Sequence, residues 1–423
     1  MTAASTDEDC LTVDVTVPAG TTAASTLPVL VFLHGGAFSA GSGGDVDPRR
    51  LATAGPMVVV TANYRLGMLG YLGLPGLDGS GDFGLLDQQA ALRWVQRNVA
   101  AFGGDPAAVT LAGESAGADS VCAQRASPTA ADLFRQAVVQ SGECGTADLY
   151  RVVVPAAGPA SATWKPVDQV VRNGLAAAAR LGCPDPATAL ACLRAQPVAR
   201  LVHGTGVYWS PAVGTPTLPA RPEDPRPMPT LMGTDQDEGT LFTAAFFDNA
   251  GAPLTVDRFR SMLAAVAPDP AAAGGAYPAL GRSPGRAWAD VVTDRAYACP
   301  ALAAYGKAQA PLYAYEFADP TAPSTFIGLP PTLAGGATHG AEMAYLFDLV
   351  PGQPAFTPAQ RTQADRMVAA WARFVVAGDP SGDARTWPRW SGAGQVLSIG
   401  ATTMAARPAA DVAAEHHCGL WGG

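Results

Sequence analysis

Apolar residues in this chain gather first into short unbroken runs. Pro28–His34 (PVLVFLH), Met57–Ala62 (MVVVTA), Ala108–Ala112 (AVTLA) and Arg135–Gln140 (RQAVVQ) are rich in β-branched residues and lack polar alternation. Runs of that kind predict strands buried on both faces. Between them the period changes. Leu92, Val95 and Val99 recur at helical spacing within Asp87–Ala101. Strand and helix therefore alternate, which predicts an α/β fold with a central, mostly parallel sheet and helices on both faces. Two more strands are expected at Pro229–Gly233 and Pro311–Phe317, and a long helix at Thr357–Ala377 with Met367, Ala370, Trp371 and Phe374 on one face. The middle, from Ala147 to Arg226, is richer in Pro, Ala and loops. There is no internal repeat and no linker. Residues 1–423 are expected to form one domain.

Composition narrows the function. Hydrophobic residues make up 48% of the chain, enough for a sizeable core. A formal net charge of −9 argues against a nucleic-acid partner, which requires clustered Lys and Arg. No apolar stretch is long enough to predict a membrane span. The first ten residues, Met1–Cys10, have neither a basic region nor an apolar core and do not read as a signal peptide. The cysteines form no C-x-x-C pair, so zinc and thioredoxin-like readings are weak.

The chemistry is concentrated in three places. Gly113-Glu114-Ser115-Ala116-Gly117 follows the Ala108–Ala112 run and opens a predicted helix. A serine on a sharp strand-to-helix turn has its hydroxyl lifted above the sheet. Alone it is a poor nucleophile, so a base, an acid and an oxyanion site are needed elsewhere. His34-Gly35-Gly36-Ala37-Phe38 follows the first buried run, and its small residues let backbone N–H groups approach a substrate oxygen. Gly36, Ala37 and Ala116 are the expected oxyanion donors. Downstream, Asp235, Asp237 and Glu238 share a loop after a strand, with Glu238 the preferred acid. Its competing reading is a favourable charge at a helix start. His339, on a loop before a helix, is the preferred base, against His34, His203, His416 and His417. The order Ser115, Glu238, His339 is that of α/β-hydrolase folds.

With these residues in place, the chain resembles the type-B carboxylesterases, the carboxylesterase/cholinesterase family of α/β-hydrolases. The resemblance is carried in order by Glu8–Leu11, His34–Phe38, Asn63–Gly67, Phe83–Gln88, Phe102–Pro106, Gly113–Gly117, Gln140–Gly142, Asp237–Gly239 and His339–Glu342. It implies a serine carboxylic-ester hydrolase. Ser115 attacks the ester, His339 takes its proton, Glu238 orients His339, and an acyl-enzyme forms on the way to products. It also implies that Ser141 braces the acid and that Glu114 shapes the site electrostatically. Neither a metal nor an organic cofactor is implied, and the partner is a small-molecule ester.

The family carries a longer segment before Glu-Asp-Cys-Leu. The expectation is that an N-terminal segment is missing here, leaving Cys10 without its partner. The resemblance pairs Cys183 with Cys192 and Cys299 with Cys418; Cys122 and Cys144 remain as candidates for a third bridge. Disulfides imply an oxidising compartment, hence a secreted protein whose signal peptide lies outside this chain. A second departure is Pro211–Thr215, where the family often has Pro-Val-Val-Asp-Gly. Tyr208, Trp209, Phe246, Phe247 and Phe326 are candidates for an apolar gorge or for core. The rival class is a binding or adhesion module on the same fold, or a truncated product. The occupied triad positions favour the enzyme.

Overall fold

A computed structural model describes residues 5–142, 144, 149–155, 162–202, 207–350, 352, 355–382 and 386–422. Its frame is a nine-stranded sheet. The strands are β1 (Val13–Thr16), β2 (Leu27–Leu33), β3 (Val58–Ala62), β4 (Gly104–Glu114), β5 (Gln136–Gln140), β6 (Thr230–Asp235), β7 (Leu312–Phe317), β8 (Gln395–Ile399) and β9 (Met404–Pro408). Their spatial order is β1-β3-β2-β4-β5-β6-β7-β8-β9. From β3 to β8 every neighbour is parallel. Only the two edge strands run antiparallel. Every residue of β3, β5, β6 and β7 is buried, as the lack of polar alternation predicts.

Alternation within β2 divides the core. Val29, Val31 and Leu33 pack on one face with Leu92 and Val95 of α1 (Phe83–Asn98) and Val121 of α2 (Ala116–Ala126). Leu30 and Phe32 pack on the other with Met367, Trp371 and Phe374 of α5 (Pro358–Ala377). Between these helices in sequence lie α3 (Val167–Arg180) and α4 (Pro284–Thr293). The first of these shows that the middle stretch has more helix than its Pro content suggested. The start of α1 lies four residues before the predicted one, because Gln88 and Gln89 are buried as partners and not exposed. Gln88 Nε2 donates to Ser120 Oγ (2.9 Å) and Gln89 Nε2 to Gln124 Oε1 (3.0 Å), which ties α1 to α2.

The strand-favouring pattern sends all parallel strands in one direction, so the loops after β2, β4, β5, β6 and β7 emerge along one edge. That edge is where α/β sheets place ligand-binding groups. Three disulfides are present: Cys122–Cys144, Cys183–Cys192 and Cys299–Cys418. Cys10 is exposed and unpaired with another cysteine.

Trp371 anchors α5 to the sheet. Its ring meets Tyr315 at 5.1 Å and Trp387 at 5.5 Å, and its Nε1 donates to Gln140 Oε1 at 3.3 Å. Truncating a buried aromatic leaves a cavity and an unpaired acceptor. Trp371→Ala should lower unfolding free energy by about 3–5 kcal/mol in urea titrations; a loss within error would show that α5 does not hold the sheet.

Candidate active site

Ser115 sits between β4 and α2 at φ 55°, ψ −127°, a conformation that costs a non-glycine residue energy. The packing around it explains why the turn persists. A Cβ on Gly117 would strike the carbonyl oxygen of Leu33 in β2, and one on Gly113 would strike the backbone of Gly117. The two glycines thus let α2 leave β4 at close quarters, and Ser115 takes up the bend. Its own N–H donates to Gln140 O at 2.9 Å.

The His34–Phe38 loop bends the same way. Gly36, Ala37 and Phe38 have φ of 109°, 54° and 58° in succession. Among the described residues, the N–H groups of Gly36, Ala37 and Ala116 donate to no other part of the chain. Ala116 opens α2, so its N–H is one of the free donors of a helix start. His34 is held away from catalysis. Its ring stacks on Tyr64 at 4.4 Å, its Nδ1 meets Gly35 O at 2.7 Å, and Tyr64 Oη donates to its carbonyl at 2.6 Å.

The side chains expected to serve as acid and base meet. His339 Nδ1 lies 2.5 Å from Glu238 Oε2, and both side chains are buried. Glu238 Oε1 accepts from Asp235 N at 2.9 Å. Glu238 makes no capping bond to the helix it precedes; its carboxylate is engaged by His339 and Asp235 N instead. Asp237 is committed elsewhere, accepting from Ala337 N at 2.9 Å and lying 3.6 Å from Arg286. Asp235 Oδ2 accepts from Ala341 N at 3.0 Å, fixing the loop that carries His339. His339 Nε2 is buried, unbonded and 3.4 Å from Glu114 Oε1, so the residue beside Ser115 is the one it faces. No hydrogen bond to Ser115 is formed in this structure, as is common before substrate tightens a site. Phe242 and Tyr297 flank the imidazole at 4.8 and 5.4 Å.

Of the rival histidines, His416 is locked between Asp294 Oδ1 (2.6 Å) and Glu316 Oε1 (2.7 Å) near the Cys299–Cys418 bridge, and His417 contacts Ala414 O. His203 lies outside the described residues. Ser141 is buried at φ 52° and its N–H donates to Gly233 O, but its hydroxyl makes no hydrogen bond among the described residues. Trp209 packs in the cluster that holds Phe38 and Ala116, with Tyr208 against it. Phe247 belongs to a separate core around Trp288. Phe246 and Phe326 are partly exposed.

Two acids of the cluster were given no site role from the sequence. Glu342 is fully buried and accepts from Gln140 Nε2 at 3.0 Å. Asp235 was weighed only as a rival to Glu238. Burial, then the charges of Glu342 and Glu238, push Asp235 well above the ordinary carboxylate range; burial likewise raises Glu342. Asp235 Oδ1 and Glu342 Oε2 each lack a partner when both are ionised. One proton held between them satisfies both. The signal was present in the sequence, since Glu342 stands three residues after His339. Among the described residues no group of His, Cys, Asp and Glu is arranged to hold a metal ion.

Residues 1–267 and 279–421 match the carboxylesterase family. The chain belongs to that family. It is 33% identical to the para-nitrobenzyl esterase of Bacillus subtilis (strain 168) over 401 residues, 90% of this chain and 77% of the relative. It is 33% identical to an acylcarnitine hydrolase of Rattus norvegicus and 31% identical to the cocaine esterase of Oryctolagus cuniculus. Each match covers 90% of this chain, and respectively 69% and 73% of the relative. This carboxylesterase has the α/β-hydrolase fold of its family, with the large parallel sheet described above.

Electrostatics in this carboxylesterase set a pH dependence. Burial alone would lower His339, but the charges of Glu238 and Glu114 outweigh it and raise it to about 9. Burial lifts Glu114 to about 8, with Glu342 and Glu238 adding to the rise and His339 opposing it. A base must be unprotonated to act, so ester-hydrolysis kcat/KM should climb with pH through a midpoint above the ordinary histidine value. Glu114→Gln removes a negative neighbour, destabilises the imidazolium, and should move that midpoint to lower pH. A profile unmoved by the substitution would show that Glu114 does not act on His339.

Proposed function

We propose that Ser115, His339 and Glu238 form the catalytic triad of this carboxylesterase and that the reaction passes through an acyl-enzyme on Ser115. The 2.5 Å contact between His339 Nδ1 and Glu238 carries the reading, because it leaves Nε2 as the nitrogen free for a proton. His339 Nε2 removes the Ser115 proton as Oγ attacks the ester carbonyl. Glu238 fixes the tautomer and stabilises the imidazolium. The N–H groups of Gly36, Ala37 and Ala116 take the charge that develops on the carbonyl oxygen. His339 then gives its proton to the departing alcohol, and water repeats the sequence on the acyl-enzyme. Ser141 is assigned to hold the loop after β5 against Glu238, and Glu114 to tune His339.

The substrates are small carboxylic esters. The relatives' names point to a range of esters, and the Phe38–Trp209 cluster beside Ala116 offers an apolar wall for an acyl group. We read residues 1–423 as one α/β-hydrolase domain. The three disulfides support an extracellular or otherwise oxidising location. No described helix is long and apolar enough to cross a membrane.

Hydrolysis of p-nitrophenyl butyrate tests the assignment. Ser115→Ala should abolish turnover above background, and Glu238→Gln should lower kcat by about 10²–10⁴-fold with little change in KM. Turnover unchanged in Ser115→Ala would overturn it.

A further inference from the structure

The end of α2 opposite Ser115 carries a buried cation. Arg125 lies in the last turn of that helix and is 8% exposed. Its Nε is buried without a hydrogen-bond partner, and among the described residues no carboxylate forms an ion pair with it. A guanidinium does not shed its proton in a protein. Burying Nε without a partner carries a desolvation cost, and the terminal nitrogens of the guanidinium have no protein partner among the described residues. Arg226 does not relieve it. That guanidinium packs on the Arg125 carbonyl, donating to it through Nε at 3.3 Å, and adds a second positive charge. Burial, reinforced by Arg226, lowers Arg125 to about 10, so it stays charged at neutral pH.

Arg125 lines a cavity of about 70 Å³ at the start of β6 and β7. One water needs about 10–15 Å³ of such space, so several polar atoms fit. Lys307 and Gln309, both exposed and both with donor side chains, also line it. Cys144 also lines it, and its bond to Cys122, three residues before Arg125 on α2, pins that wall to the helix. Glu223 and Asp224 reach the same cavity and, like Lys307, are exposed residues whose charges water screens, so Arg125 is the buried charge of the site.

We propose that this cavity is a binding site for a small oxyanion, a phosphate or carboxylate group, held by the Arg125 guanidinium with Lys307 at its mouth. It lies at the far end of the helix that follows Ser115, ten residues and about 15 Å along the axis from the serine turn. It is therefore separate from the ester site. An oxyanion there satisfies the orphaned guanidinium through charge-assisted hydrogen bonds.

Inorganic phosphate is the probe, with acetate as the carboxylate arm and sodium chloride at matched ionic strength as reference. Excluded-solute effects raise the Tm of any protein in phosphate, so the increment specific to Arg125 is what counts. Wild-type enzyme should show saturable phosphate binding by calorimetry and a Tm increment over chloride. Arg125→Leu should lose both, and should melt no lower than wild type in chloride, because it removes an unpaired buried charge. Lys307→Ala, an exposed change, should weaken phosphate binding by about tenfold while sparing p-nitrophenyl butyrate hydrolysis. A preference for acetate would identify a carboxylate ligand. Absence of saturable binding of either anion to wild type would overturn the site, as would an equal Tm increment in Arg125→Leu. If Arg125→Leu does not fold, the wild-type titration and Lys307→Ala decide alone.

Discussion

The reversal of the chain at Ser115 is the constraint on which this enzyme turns. β4 must end, and α2 must begin, within one residue of a strained serine. That is possible only because Gly117 lies against the Leu33 carbonyl and Gly113 against Gly117. The same contact joins the serine turn to the end of β2, from which the His34–Phe38 loop departs. The proposed nucleophile and the proposed oxyanion donors are thereby placed by one piece of packing between adjacent parallel strands. The strain is sustained by the buried sheet around it: β2, β4 and β5 are held in register on both sides of the turn.

The second organising feature is a surplus of buried acid. Glu114, Glu238, Glu342 and Asp235 surround a single histidine, and all are buried. Four carboxylates cannot all stay ionised at such density. Burial raises both Asp235 and Glu342, which favours their neutral forms and lowers the negative charge of the cluster. Asp235 is braced on Ala341, so that the loop bearing His339 is fixed to the end of β6. Glu238 can then remain the one close partner of Nδ1. The site is a set of positions whose protons depend on one another, and the pKa of His339 belongs to the set.

Much of this was legible from the chain. The parallel strands announced themselves as unbroken β-branched runs, because burial on both faces removes polar alternation. The serine turn was legible because its glycines have no steric substitute. Glu238 was preferred to Asp235 and Asp237 from its loop and then supported by resemblance, and the three now differ in their contacts: Asp237 is spent on Ala337 and Arg286, Asp235 on Ala341. Less was readable where partners are distant in sequence. The edge strands β1 and β9 and the neighbouring β8 are short and partly exposed, and their pairing depends on register and not on pattern. Glu342 stood in the His339–Glu342 fragment without a role of its own, and its bond to Gln140, 202 positions earlier, is visible only in the fold. Arg125 belongs to no motif, and only its burial beside a cavity singles it out. Phe247 illustrates the opposite error of scattered aromatics, since it fills a separate core with Trp288 and does not line the site.

The central claim is that chemistry passes through a covalent bond to Ser115. Mass spectrometry of the enzyme quenched in acid during turnover of a slowly deacylating p-nitrophenyl ester measures this directly. The account predicts an adduct of one acyl mass on intact protein, localised after digestion to the peptide carrying Gly113–Gly117, and absent from Ser115→Ala. An active enzyme that carries its acyl group on another residue would contradict it.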